Sequence, residues 1–265
     1  MTAGIAASEQ PAPPPSSGED PAGASATAAA PVAAVEAWGL CRRYGRRWAL
    51  AEVGFSVPRG ALVMVTGRNG SGKSTLLRVL STAIRADRGR ARVLGHDLDT
   101  GREGVRRALA LLGHHTHLYE ALSARQNLEI AARFLGKDAS ASALRERLDE
   151  VGLAERADDA VSTFSAGMRQ RLALARTLLP DRAVVLLDEP YGHLDPPGFA
   201  LVDRTLERLR ARGATVLMAT HLLERGSALC DRALLLEQGR LVWAGPAAEL
   251  PLSEAASASG PRVHA

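Results

Sequence analysis

Nine consecutive residues restrict the fold of this chain more than any others: Gly67-Arg68-Asn69-Gly70-Ser71-Gly72-Lys73-Ser74-Thr75. They fit the pattern G-x-x-x-x-G-K-[ST], a loop whose backbone N–H groups wrap around phosphates. Such a loop has chemical meaning only between a strand and a helix. Ala61–Thr66 (ALVMVT) is an apolar run of strand length, and Ser74–Ser81 is helical in period. The glycines allow close approach of the backbone, and the helix start adds partial positive charge. Lys73 is expected to reach the outer phosphates. The Ser74 hydroxyl is expected to hold Mg²⁺, a hard ion that prefers oxygen. A surface turn that merely happened to be rich in glycine would need neither flanking element.

Further apolar runs follow at Ala183–Leu187 (AVVLL), Ala214–Ala219 (ATVLMA) and Arg232–Glu237 (RALLLE), with helical stretches such as Gly198–Arg212 between strands. Near-continuous apolar strands joined by crossover helices predict an α/β fold around a mainly parallel sheet covered on both faces. Ser123–Phe134 and Ala141–Val151 are helical in period with no strand signal between them, and Arg145, Glu146 and Arg147 face outward. They predict an inserted all-helical subdomain over about residues 115–180. Hydrophobic residues make up 46% of the 265 and aromatics only 4%, so the core must be aliphatic.

Residues 1–34 are rich in Ala, Pro, Ser and Gly and cannot bury enough surface to offset ordering entropy; a disordered tail is expected there. A flexible tail is likewise expected over 251–265, leaving one folded domain at 35–250. The formal charge is +4, but Lys occurs only at Lys73 and Lys137, and the arginines are scattered rather than striped. No nucleic-acid partner is expected from that distribution. No stretch reaches the roughly 18–20 apolar residues of a membrane span, and no signal-peptide pattern opens the chain. A soluble, unexported protein is therefore expected. Cys41 and Cys230 show no metal-binding spacing and read as free thiols of a reducing compartment.

Two more segments carry chemistry. The run Ala183–Pro190 (AVVLLDEP) ends a buried strand on Asp188 and Glu189. Buried carboxylates are costly unless paired or metal-bound, and ligands of open parallel sheets bind at the carboxyl ends of strands. Asp188 is therefore expected to face Mg²⁺, and Glu189 to polarise an attacking water. The run Phe164-Ser165-Ala166-Gly167-Met168-Arg169-Gln170-Arg171 opens a long helix, Ala166–Leu179, with Ser165 as N-cap. This offers a second helix start to an anion. The phosphate loop already has its own helix, so the second start needs another nucleotide, which a two-fold dimer supplies.

With these segments in place, about residues 35–247 resemble the ABC ATPase family. The resemblance implies a P-loop NTPase fold with an antiparallel β part near the N-terminus, ATP and Mg²⁺ as cofactors, and ATP hydrolysis coupled to transport. It implies a homodimer in which Ser165 and Gly167 close over the partner's ATP, and integral membrane permease subunits as further partners. The chain would then sit in the cytoplasm, peripheral on the inner face of the cell membrane. The usual Leu-Ser-Gly-Gly-Gln signature is Phe-Ser-Ala-Gly-Met here. Tyr44 resembles the aromatic that stacks on adenine, and His221 the switch histidine that contacts the γ-phosphate. Leu194-Asp195 resembles the end of the D-loop, although Tyr191-Gly192-His193 before it departs from the family. His115 stands where the family has a glutamine that helps hold Mg²⁺. Imidazole is a poorer Mg²⁺ ligand than oxygen, so His115 is expected to contact water, phosphate or only the subunit interface.

Within the family, the stretch Leu111–Ile130 is most similar to the ATP-binding subunit of the haem exporter of cytochrome c maturation. A drug- or lipid-type exporter is the alternative. An ABC ATPase acting on ribosomes or DNA is the alternative of another class; two cassettes or long coiled-coil insertions would mark it, and one cassette with a short helical insertion favours transport.

Overall fold

The computed structural model describes residues 33–251. The tails expected over 1–34 and 251–265 lie outside these residues, apart from Ala33 and Ala34, which begin the first strand, and Pro251. In chain order the elements are β1 (Ala33–Tyr44), β2 (Arg47–Pro58), β3 (Leu62–Thr66), α1 (Lys73–Leu80), β4 (Arg88–Val93), β5 (His96–Asp97), α2 (Arg102–Ala108), β6 (Leu109–Leu112), α3 (Ala124–Phe134), α4 (Ala141–Asp149), α5 (Ala166–Leu178), β7 (Val184–Asp188), α6 (Pro196–Ala211), β8 (Thr215–Ala219), α7 (Leu223–Leu229), β9 (Arg232–Glu237) and β10 (Arg240–Pro246).

Two sheets form. One is antiparallel, in the order β2-β1-β4-β5; the other runs β10-β9-β3-β8-β7-β6 and is parallel except for β10. The fold is α/β around a mainly parallel sheet, with the antiparallel sheet contributed by the N-terminal part.

The parallel strands are buried on both faces because their alternate residues feed two different cores. Val63, Val65, Val184, Leu186 and Leu217 pack with Leu76, Leu77 and Leu80 of α1 and with Val35, Val53 and Phe55 of the antiparallel sheet. Leu62, Met64, Val185, Leu187, Val216 and Met218 face the other way, onto the helical layer of Leu128, Leu144, Leu148, Leu172 and Leu206. Fully burying one such aliphatic side chain stabilises by about 1.5–3 kcal/mol, and the core is mainly aliphatic, with Phe55, Phe164 and Tyr191 among its buried aromatics.

Caps fix where the helices start. Ser123 and Gln126 make a reciprocal capping box at α3, and the Asp195 carboxylate accepts from Gly198 N at α6, where Pro196 and Pro197 follow. The parallel register aligns the carboxyl ends of the strands: Leu112 faces Leu187, Val65 faces Ala219 and Asp188 faces Ala219. The loops leaving β3, β6, β7 and β8 therefore emerge along one sheet edge, where such folds bind ligands.

Candidate active site

At that edge the chain leaves Thr66 and turns sharply. Gly67 has φ +135°, and a Cβ there would lie 2.0 Å from Leu236 O. The close passage against β9 thus demands glycine. Ser71 Oγ is buried without a hydrogen-bond partner, a donor held open in the loop as a phosphate cradle requires. Lys73, the first residue of α1, is buried, and its Nζ donates to Gly67 O at 2.7 Å and Arg68 O at 3.2 Å. The lysine therefore staples its own loop closed. Burial holds its ammonium below the usual lysine range, against the opposing pull of Glu189 and Asp188.

Asp188 is buried at the end of β7 and accepts from the Ser74 hydroxyl at 3.0 Å. A hydroxyl and a carboxylate side by side, beside a phosphate cradle, are the oxygen donors that suit Mg²⁺. The two residues fit that ion. Glu189 follows in the left-handed region at φ +51°, strained for a non-glycine residue. Its N–H donates to Ala219 O, and its carboxylate Oε2 lies 2.9 Å from Nδ1 of His221. Glutamate and histidine from adjacent strand ends are thus already paired beside the phosphate loop.

The hairpin between β1 and β2 brings in Tyr44. It pairs with Arg47, whose Nη2 donates to Gly70 O at 3.3 Å, so the hairpin tip leans on the phosphate loop. Tyr44 is 46% exposed, with the Arg42 guanidinium 5.0 Å from its ring centroid, which leaves an aromatic surface beside the loop.

Ser165 caps α5, accepting from Met168 N, and is exposed. Its helix start joins the loop after Glu189: Gln170 Nε2 donates to Glu189 O, and Gly167 lies against His193 O. Ser165 is thus an exposed helix cap, while Gly167 packs against the loop after Glu189. His115 is exposed in the loop after β6, its ring 5.3 Å from that of His114 and 6.0 Å from that of His117. Among the described residues no group of three His, Cys, Asp or Glu side chains could hold a metal ion. Sequence reasoning did not find Arg176, which donates to Thr116 O and His117 O and so anchors this loop to α5. Nor did it find the contact of the buried Tyr191 with Asp203. Neither has a local spacing signal.

A phosphate loop on an α/β sheet, a carboxylate pair at a strand end and a second helix start with an exposed cap define a nucleoside triphosphatase that acts as a cassette. The chain belongs to the ABC transporter family, whose profile matches residues 50–192. Cassettes of this family hydrolyse ATP, dimerise and work with membrane permease subunits. It is 42% identical over 214 residues to the daunorubicin resistance ATP-binding protein DrrA3 of Streptomyces coeruleorubidus, covering 80% of this chain and 68% of that one. It is 34% identical over 232 residues to the Nod factor export ATP-binding protein I of Mesorhizobium japonicum, covering 87% and 68%. Among solved structures, the ATP-binding subunit of an ABC transporter superposes with TM-score 0.75 at 28% identity, over 84% of this chain and 98% of that one. A bacterial ABC transporter cassette solved as a dimer gives 0.72 at 25%, over 80% and 98%. These relatives are named for drug resistance and Nod factor export; the expected likeness to the haem exporter finds no support in their names.

Proposed function

We propose that this chain is the ATP-hydrolysing motor of an ABC exporter of the drug or lipid type, working as a homodimer on the inner face of the cell membrane. The observation that carries the reading is the Glu189–His221 pair at 2.9 Å, set beside Lys73, Ser74 and Asp188. Lys73 would give up its hold on the loop carbonyls to the outer phosphates. Ser74 and Asp188 would hold Mg²⁺, which supplies positive charge to those phosphates when bound. Glu189 would orient the water and take up its proton, and His221 would steady Glu189 and face the γ-phosphate. Tyr44 would stack on adenine. Catalysis is then positioning plus electrostatics, as in other phosphoryl transfers.

The export reading draws on relatives named for daunorubicin resistance, doxorubicin resistance and Nod factor export. The haem-export reading rests chiefly on the stretch 111–130. No helix among the described residues is long and apolar enough to cross a membrane, so a permease would carry the cargo.

Replacing Glu189 by Gln tests the assignment. ATP binding should persist, ATP should drive a stable dimer on gel filtration, and turnover should fall about 10²–10⁴-fold. Wild-type turnover in that variant would remove Glu189 from the chemistry.

A further inference from the structure

Tyr191 stands two residues beyond Glu189 and is 2% exposed. Its hydroxyl donates to Asp203 Oδ1 of α6 at 2.8 Å. The other oxygen of the same carboxylate accepts from Arg225 of α7. The Arg225 guanidinium lies over the rings of Phe199, at 5.2 Å, and Tyr191, at 5.8 Å, while those rings meet edge to face at 5.5 Å. Both oxygens of Asp203 are engaged, and each donor comes from a segment that carries an active-site residue.

The topology gives the cluster its meaning. The segment Asp188–Tyr191 holds Glu189; the segment His221–Arg225 holds His221. A direct tie joins them, Glu189 Oε2 to His221 Nδ1. Tyr191–Asp203–Arg225 is a second tie between the same two segments, through α6. One hydrogen bond fixes a distance but leaves rotation free; two ties fix orientation as well. Glu189 sits in a strained left-handed conformation, which persists only where the surroundings over-determine it. α7 has its own anchor, since a Cβ at Gly226 would lie 2.1 Å from Met64 Sδ, so the helix is pressed against β3. Burial also holds the Tyr191 hydroxyl far above the ordinary phenol range, so it stays a donor at any working pH.

We propose that Tyr191, Asp203 and Arg225 are positioning residues for hydrolysis: a second cross-tie that holds Glu189 and His221 in register. The inference rests on the reading that those two residues face the attacking water. Tyr191→Phe keeps the ring and its contact with Phe199 and removes only the hydroxyl. Its turnover should fall about five- to tenfold while KM for ATP stays within about twofold, because the nucleotide contacts are untouched. Melting temperature is followed in parallel to show that the variant is folded.

The decisive arm is the same substitution in a His221→Ala background. A tie that acts through His221 has nothing left to hold there, so the added loss should shrink below about twofold. An equal loss in both backgrounds, or a KM that rises with no change in kcat, overturns the inference. So does unchanged turnover in Tyr191→Phe beside a normal fall in His221→Ala, and in that case the site reading stands. Wild-type turnover in His221→Ala itself removes the site reading and the inference with it.

Discussion

Cys230 shows how one side chain links packing to pH. It ends the short helix α7, buried against the core, and burial pushes its thiol up to about 12, with the neighbouring Asp231 adding and Arg210 opposing. The sign follows from proton linkage. In the unfolded chain the thiol is solvated and ionises near its ordinary value; in the folded chain it keeps its proton. The stabilisation is therefore complete below about pH 9 and is lost as pH rises toward 12, at up to about 1.4 kcal/mol per pH unit. Cys230→Ala removes that proton. Urea unfolding at several pH values should show the wild type losing stability faster than the variant across this window; parallel lines would mean that the thiol ionises freely when folded. At this scale the sequence is readable where chemistry is local. The phosphate loop is contained in Gly67–Thr75, and Asp188 and Glu189 are adjacent. The partners of Tyr191 come from α6 and α7, whose facing sides are set by packing, so no spacing in the chain announces them.

Helix α5 explains which glycine of the signature turn can be lost. Ala166 occupies one family glycine position and is exposed, with room for its methyl group. Gly167 has no such room, because a Cβ would lie 2.7 Å from the backbone oxygen of His193 in the loop after Glu189. Glycine to alanine inside a helix normally gains up to about 1 kcal/mol. Here the clash should reverse the sign. Gly167→Ala should destabilise by about 1–3 kcal/mol, read as a lower melting temperature, and should also slow turnover by shifting the loop that carries Glu189. A higher melting temperature would show that the loop gives way freely. Elements were legible to the extent that their periods are clean. The buried parallel strands β3, β7, β8 and β9 and the helices of the insertion match their expected ranges within one or two residues. The antiparallel sheet came only through family resemblance. In β1 the register shifts between Ala37 and Leu40 and again before Arg42, and neighbours such as Leu40 and Cys41 are both buried. Bulges of this kind erase the period of two on which a strand is read.

At the scale of the whole molecule, we propose that the phosphate loop and the Ser165–Gly167 helix start are two halves of a composite site that meet only between two chains. The phosphate loop passes against Leu236 of β9 and Ala49 of β2, while the Ser165–Gly167 helix start packs on the loop after Glu189 and presents an exposed serine. If two copies pair about a two-fold axis, each composite site takes its phosphate loop from one chain and its helix start from the other. That geometry makes a prediction that no arrangement within a single chain shares. Lys73→Ala damages the loop, and Ser165→Ala damages the helix start; each homodimer then carries two damaged sites. In a mixed dimer both defects fall in the same composite site, and the other site is entirely wild type. Random mixing makes about half of the dimers mixed, each with one sound site, so the mixture should recover up to about a quarter of wild-type turnover. Each variant measured alone should hydrolyse far less than that. If both halves served the same chain's nucleotide, every subunit in the mixture would keep its own defect, and the activity would be no more than the average of the two variants. Measuring ATP turnover of the mixture against each variant separates the two arrangements, with ATP-driven dimerisation on gel filtration as the control that pairing occurred.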